Sequence, residues 1–290
     1  MLKTYVAILI AVIFWSMSFV LTKVGLSEVT PIYLASLRFS IATIMFVGYA
    51  LIKFEMRQIK EFTKDNFTTL LVLGIVGVTI PNILQNMGML FITASMASIL
   101  QNSSPAFTLI LAAIFLRESL GCRKVSGLVL SLISVTIISI NSNLPTFSSS
   151  MVFYGNLMLV STAICYSIYT VIGKKIVANN SPLLILAVST LMGTILLDII
   201  SALVEPIRFT YPMNIWGILF ALAILCTVLG TILYFEVLRR LEASKTNFFT
   251  FLIPVFAVIQ ASVLLGETIH PYQIVCGALI IFGIWLAQTE

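Results

Sequence analysis

The chain has 290 residues, of which 60% are hydrophobic and only 9% charged, with a formal net charge of +5. A water-soluble domain carries about 25% charged residues, so this composition cannot cover a globule in water and requires a protein that crosses a membrane several times. The basic residues stand in short stretches between apolar runs, which excludes a nucleic-acid surface as the origin of the positive charge.

A bilayer span needs about 20 mostly apolar residues. Divided at charge clusters and at Pro, Gly and Ser groups, the chain offers runs at 4–24, 32–53, 67–87, 91–116, 124–141, 152–173, 183–204, 213–236, 245–265 and 271–288. These predict ten spans joined by very short loops. The first run lacks an A-x-A cleavage site and is followed by many more, so it is expected to remain as a helix. With the N-terminus inside, all basic residues except Lys23, Arg38 and Arg208 fall on the cytoplasmic side. That asymmetry orients the chain in the cell membrane, inner or plasma, with both termini cytoplasmic.

The chain repeats itself. Ala94-Ser95 recurs as Ala243-Ser244, and at the same offset Pro105 falls on Pro254, Phe107 on Phe256, Leu116 on Leu265 and Glu118 on Glu267. At a nearly equal offset Ser16 meets Ser167, Lys23 meets Lys174 and Pro31 meets Pro182. The expected domains are residues 1–145 and 146–290, with NSNLPTFSSS (141–150) as the linker. Each holds five spans, an odd number, so the second half enters from the opposite side. The predicted fold is an all-α integral membrane protein: ten transmembrane helices as two inverted five-helix repeats around a central cavity.

Polar side chains gather on a few helical faces. Asn82, Gln85 and Asn86 share one face of the third span, and Ser98, Gln101 and Asn102 one face of the fourth. Their repeat mates are Thr231, Tyr234 and Phe235 in the eighth span, and Asn247, Thr250 and Phe251 in the ninth. The sixth span adds Thr162, Cys165, Tyr166 and Tyr169, and the first adds Trp15 and Ser18. Unpaired amides in hydrocarbon cost several kcal/mol each, so these faces turn inward. They serve either as interhelical glue, worth about 0.6 kcal/mol per contact, or as the wall of a hydrated substrate cavity. Clustered amide faces on two adjacent spans favour the cavity. Pro105 and Pro254 each remove a helical donor, from the carbonyls of Gln101 and Thr250, and so predict mid-span kinks.

Arg38 is deep in the second span, as a structural hydrogen-bond hub or a contact for an anionic group, the hub being favoured. Lys23 and Lys174 end equivalent helices and are expected to snorkel. Glu118 and Glu267 are expected at a gate or in contact with helix-end donors. Gly127, Ser131, Ser134, Gly277 and Gly283 read as packing positions. Cys122, Cys165, Cys226 and Cys276 form no CxxC, so buried free thiols are expected, with no disulfide and no metal. His270 reads as a loop residue. No phosphate-binding G-x-x-x-x-G-K-[ST] loop exists, no cofactor is implied, and catalytic residues are not expected.

WSMSFVLTK (Trp15 to Lys23), then Pro31 and LRF (Leu37 to Phe39), resembles the first two helices of the EamA family in the drug/metabolite transporter superfamily. The segments SSPAFTLILAAIFLRE and IPVFAVIQASVLLGE, each closing one half, and GALIIFG (Gly277 to Gly283) resemble it too. The resemblance implies ten helices in two inverted repeats, both termini cytoplasmic, and export or exchange of small metabolites such as amino acids. It also implies a cavity lined by the third, fourth, eighth and ninth helices, helped by the first and sixth. Ser16 departs from the glycine often found after the tryptophan. Related carriers of phosphorylated sugars use basic residues inside the cavity. Here the ninth span has only Lys245, at its end, which disfavours a phosphorylated substrate.

The expected function is secondary transport of a small zwitterionic or neutral compound by alternating access. The alternatives are a channel or a lipid-acting membrane enzyme, the latter requiring clustered His, Asp or Glu that the sequence lacks. The expected partners are a small-molecule substrate and the lipid bilayer, with a homodimer as a further candidate.

Overall fold

A computed structural model describes residues 2–140, 149–206, 208, 210–265 and 271–289. The described residues are helical, with no strand among them. The helices are α1 (Leu2–Gly25), α2 (Pro31–Lys53), α3 (Met56–Asp65), α4 (Phe67–Gly74), α5 (Ile80–Phe91), α6 (Ala94–Gln101), α7 (Ser104–Leu116) and α8 (Cys122–Ile140). They continue as α9 (Ser149–Val177), α10 (Pro182–Val204), α11 (Met213–Ala221), α12 (Gly230–Arg240), α13 (Ala243–Phe248), α14 (Leu252–Leu265) and α15 (Pro271–Gln288).

Lys3–Gly25, Pro31–Lys53, Phe67–Phe91, Ser150–Val177, Pro182–Val204 and Met213–Arg240 are each long and apolar enough to cross a membrane. Ser104–Leu116 and Ile274–Gln288 are shorter apolar helices. Ile44, Ile114, Ile195, Phe153 and Trp285 point outward and are exposed, a surface that hydrocarbon solvates and water does not. The protein is therefore a multi-pass membrane protein.

Several spans are interrupted. Ile75–Thr79, between α4 and α5, and Leu222–Leu229, between α11 and α12, are π-helix. Thr79 and Thr227 each donate a hydroxyl to the carbonyl five residues back, Gly74 at 3.4 Å and Leu222 at 2.9 Å. The wider turn shifts the face of everything that follows, and such bulges concentrate at functional sites. Upstream of each expected kink the α-helix also stops. Asn102 and Ser103 separate α6 from α7, and Pro105 enters α7 in its first turn, where a missing N–H costs nothing. Phe249–Phe251 tightens to 3-10 helix before α14, which holds Pro254 in its first turn.

The loops are not all short. α3 intervenes between α2 and α4, held by a capping box of Glu55 and Gln58 and by burial of Phe62. Its charged residues have the composition of a connecting segment, so the link between α2 and α4 is longer than the very short loop expected there.

The packing follows a consistent exchange. α2 packs along α10 and α8 along α15. α9 packs on α5 and α7, while α1 packs on α12 and α14. Where α8 meets α15, a Cβ on Gly127 would overlap the Gly283 carbonyl, and one on Gly283 would overlap the Ser131 hydroxyl. Gly277 is not such a position, since its added Cβ would meet Val255 at an ordinary 3.6 Å.

The helix-end lysines do not simply snorkel. Lys174 Nζ donates to the carbonyls of Leu238 at 2.8 Å and Leu241 at 2.6 Å, closing the end of α12. Lys23 Nζ does the same for Met89 and Ile92 at the end of α5. A cation there satisfies orphan carbonyls and meets the negative end of the helix dipole.

Candidate functional site

Inside the bundle lies a cavity of about 120 Å³, room for several waters at about 30 Å³ each. Its wall is built from α1, α2, α5, α6, α7, α9, α10, α12, α13 and α14 with both π segments and the 3-10 turn. Among the described residues, α3, α4, α8, α11 and α15 contribute no side chain to it.

Trp15, Gln85, Gln101, Asn102, Tyr166, Tyr169, Tyr234, Asn247 and Thr250 line the cavity. The rings lock one another. Trp15 lies 5.1 Å from Tyr234 and donates its indole N–H to the Cys226 carbonyl at 3.0 Å. Thr170 and Tyr234 share a hydroxyl hydrogen bond of 2.8 Å. Asn247 donates to Thr108 at 2.6 Å and to Ser104 at 3.2 Å, joining α13 to α7. Next to this satisfied network, Gln101 Oε1 and Asn102 Oδ1 are buried without a hydrogen-bond partner among the described residues.

Asn82, Asn86, Ser98 and Phe251 stand off the wall. Asn82 donates to the Val78 carbonyl at 2.8 Å and interacts with Tyr166, so it backs that ring. Asn86 donates to the Pro31 carbonyl at 2.9 Å and ties α5 to the start of α2. Ser98 is buried behind the wall, and its carbonyl accepts from the amide side chain of Asn102. Phe251 is fully buried against Phe248. Each lies on an expected helical face but is not among the residues lining the cavity, and Asn86 and Phe251 meet the start of α2 and Phe248 instead. Ser16, the departure from the family pattern, is buried and accepts from Gln260 at 2.8 Å.

The wall also holds residues that periodicity missed, among them Arg38, Phe46, Gly77, Thr190, Cys226 and Thr227. Among the described residues Arg38 is the one charged side chain on it, so the wall carries a positive charge. Its Nε donates to Thr227 Oγ1 at 2.7 Å. Thr170 was within reach of pattern reading, one turn beyond Tyr166. Of the cysteines, Cys226 and Cys276 are buried, Cys165 is partly buried and Cys122 is exposed, correcting the expectation for Cys122.

Glu118 lies at a helix end. It accepts the backbone N–H of Ala243 at 2.6 Å and of Ser244 at 3.1 Å, and also the Ser244 hydroxyl. Its repeat mate Glu267, like His270 and most of the 141–150 linker, lies outside the described residues.

A cavity enclosed by interrupted membrane helices invites comparison with known carriers. The EamA-like transporter family matches residues 2–140 and again 153–289. The chain belongs to the EamA-like transporter family. Among its EamA relatives, an "Uncharacterized transporter" of Archaeoglobus fulgidus is 29% identical over 290 residues, covering 100% of both chains. A "Probable amino-acid metabolite efflux pump" of Salmonella typhimurium is 27% identical, over 96% of this chain and 92% of its own. A "Probable terminal-alkyne amino-acid exporter" of Streptantibioticus cattleyicolor is 24% identical, over 99% and 94%. One solved crystal structure superposes with a TM-score of 0.80 at 17% identity, over 99% of this chain and 96% of that one, a likeness of fold. These relatives are named as transporters and not as enzymes, and this EamA chain is likewise a transporter of the membrane.

Proposed function

We propose that the protein is a secondary transporter that exports or exchanges small zwitterionic or neutral metabolites, amino acids above all, by alternating access in the cell membrane. The observation that carries this reading is the cavity: amides, hydroxyls and aromatic rings surround it. Amide and hydroxyl oxygens are acceptors of the kind a substrate ammonium needs, and Trp15, Tyr166, Tyr169 and Tyr234 supply apolar faces for a side chain. The names of the Salmonella and Streptantibioticus relatives point to the same substrate class.

Ten spans in two inverted repeats, residues 1–145 and 146–290, with both termini cytoplasmic, complete the proposal. The double family match supports the repeat, as do the partner exchange between helices and the two π segments that end or run through Thr79 and Thr227. In this scheme the segment from α4 to α7 rocks against the segment from α11 to α14. The π turns and helix breaks act as the joints, because discontinuous helices carry the moving sites of inverted-repeat carriers. Energy comes from a gradient or from the exchanged substrate.

Purified protein in proteoliposomes tests the reading. Uptake of a labelled amino-acid panel should saturate and be accelerated by unlabelled substrate inside. Conductance rising linearly with concentration, without counterflow, would replace the carrier with a channel.

A further inference from the structure

Arg38 is an unusual group to find on this wall. Its guanidinium has five N–H donors, and among the described residues the Nε bond to Thr227 is its one hydrogen bond. Among the described residues no ion pair reaches it, and no carboxylate lines the cavity. Asp198 is the acidic residue closest along the packing of α2 on α10, yet it is spent elsewhere. It accepts from Ser36 at 2.6 Å and from Ser40 at 3.1 Å. Ser36 and Ser40 are one turn apart and share a face of α2, and Arg38, about 200° away from each, is on the other. The titratable side chains that do interact with Arg38 are Cys226 and Tyr166, both uncharged in their ordinary ranges at neutral pH. A cation at membrane depth left without a counter-charge is costly even beside a small cavity with room for water.

The repeat makes the placement one-sided. At the separation of 151 residues that joins Thr43 to Thr194, the mate of Arg38 is Ser189. Ser189 is buried, and its carbonyl packs where a Cβ on Gly74 would fall. The second half closes that position by backbone contact, whereas the first half opens it to the cavity and places a charge there. The Leu222–Leu229 π turn presents Thr227 to hold the guanidinium by Nε, which leaves the terminal nitrogens for a bidentate acceptor.

Resting on the carrier reading, we infer that Arg38 is the anion subsite of the cavity and binds the carboxylate of the substrate. The substrate is thereby oriented, with its carboxylate toward α2 and the π turn and its opposite end toward Gln101 and Asn102. Neutral compounds without an acidic group are excluded from the preferred substrates.

The test uses purified wild type, Arg38→Gln and Arg38→Lys in detergent, melted in sodium isovalerate, sodium phosphate or sodium chloride at equal ionic strength. Isovalerate should raise the wild-type midpoint over chloride by about 2 °C or more. Arg38→Gln should lose the shift, and Arg38→Lys should keep a reduced one because its charge lacks the planar fork. Equal shifts in wild type and Arg38→Gln would overturn the inference, and a larger response to phosphate would replace the carboxylate with a phosphoryl group. In case Arg38→Gln does not fold, wild type alone decides by competition in proteoliposomes. L-leucine should compete with the transported amino acid at least about tenfold better than L-leucinamide, and equal competition would overturn the subsite. The melting comparison needs no transport, so it stands apart from the carrier reading, whose own failure is the absence of counterflow.

Discussion

Thr43 and Thr194 share a buried hydroxyl hydrogen bond of 2.8 Å. They occupy the same position in the two sequence repeats, counted from Pro31 and Pro182. In the proposed inverted repeat, a contact between repeat mates is expected close to the axis that would relate the halves, and α2 packs along α10 at this point. Either threonine changed to valine strands the other hydroxyl, at a cost of about 1 kcal/mol. Changing both removes the need for a partner. The double variant should therefore melt no lower than the single ones, with a coupling of about 0.6 kcal/mol or more. A detergent melt of all four proteins measures it, and purely additive losses would show that the pair is not a unit.

Much of this architecture could be read from the chain because its signals are local. Charge clusters at Lys53–Lys64 and Arg239–Lys245, and prolines at 31 and 182, mark helix ends wherever the fold puts them. The cavity was legible where the α-helical period continues unbroken, as from Tyr166 to Tyr169 on α9, and also at Asn102 and Thr250, which stand in the breaks themselves. It failed at Cys226 and Thr227, because a π turn inserts a residue and puts the faces on its two sides out of phase. Asn86 and Phe251 failed for another reason. An inward face does not say which of several neighbours it meets, and these two meet the start of α2 and Phe248.

Gln85 and Asn102 are buried on the cavity wall, and neither is held by a salt bridge. Truncation to alanine should leave the folded yield close to wild type while weakening uptake by about tenfold, the worth of one hydrogen bond to a charged substrate group. Size-exclusion yield and the KM for the best transported amino acid provide the two readouts. Normal transport by both variants would remove the amides from the binding site.

Lys23 and Lys174 perform the same task on α5 and α12. Replacing either with methionine keeps most of the aliphatic stem and withdraws the cation from two helix-end carbonyls. Each variant should lose about 1 kcal/mol of stability. Because the two sites share no partner, their effects should add in the double variant. Thermal melts test this, and a loss confined to one lysine would mean that the other carbonyl pair finds water instead.

Arg117 ends α7 with φ 57°, in the left-handed region, and there the N–H of Glu118 reaches back to the Ala112 carbonyl at 3.3 Å. The N–H of Arg117 bonds the same carbonyl. This bend turns the chain so that Glu118 meets the start of α13. Glycine takes that conformation without a Cβ penalty, and the sequence carries Gly266 at the equivalent place in the second half. Arg117→Gly should therefore stabilise the protein, by about 0.5–1 kcal/mol, with transport unchanged because Glu118 keeps its partners. Glu118→Ala should do the reverse. It strands the N–H groups of Ala243 and Ser244 and should cost about 1.5–3 kcal/mol, the range for hydrogen bonds to a charged group. A lower melting temperature for Arg117→Gly would mean that the arginine side chain itself, and not the bend, holds this corner.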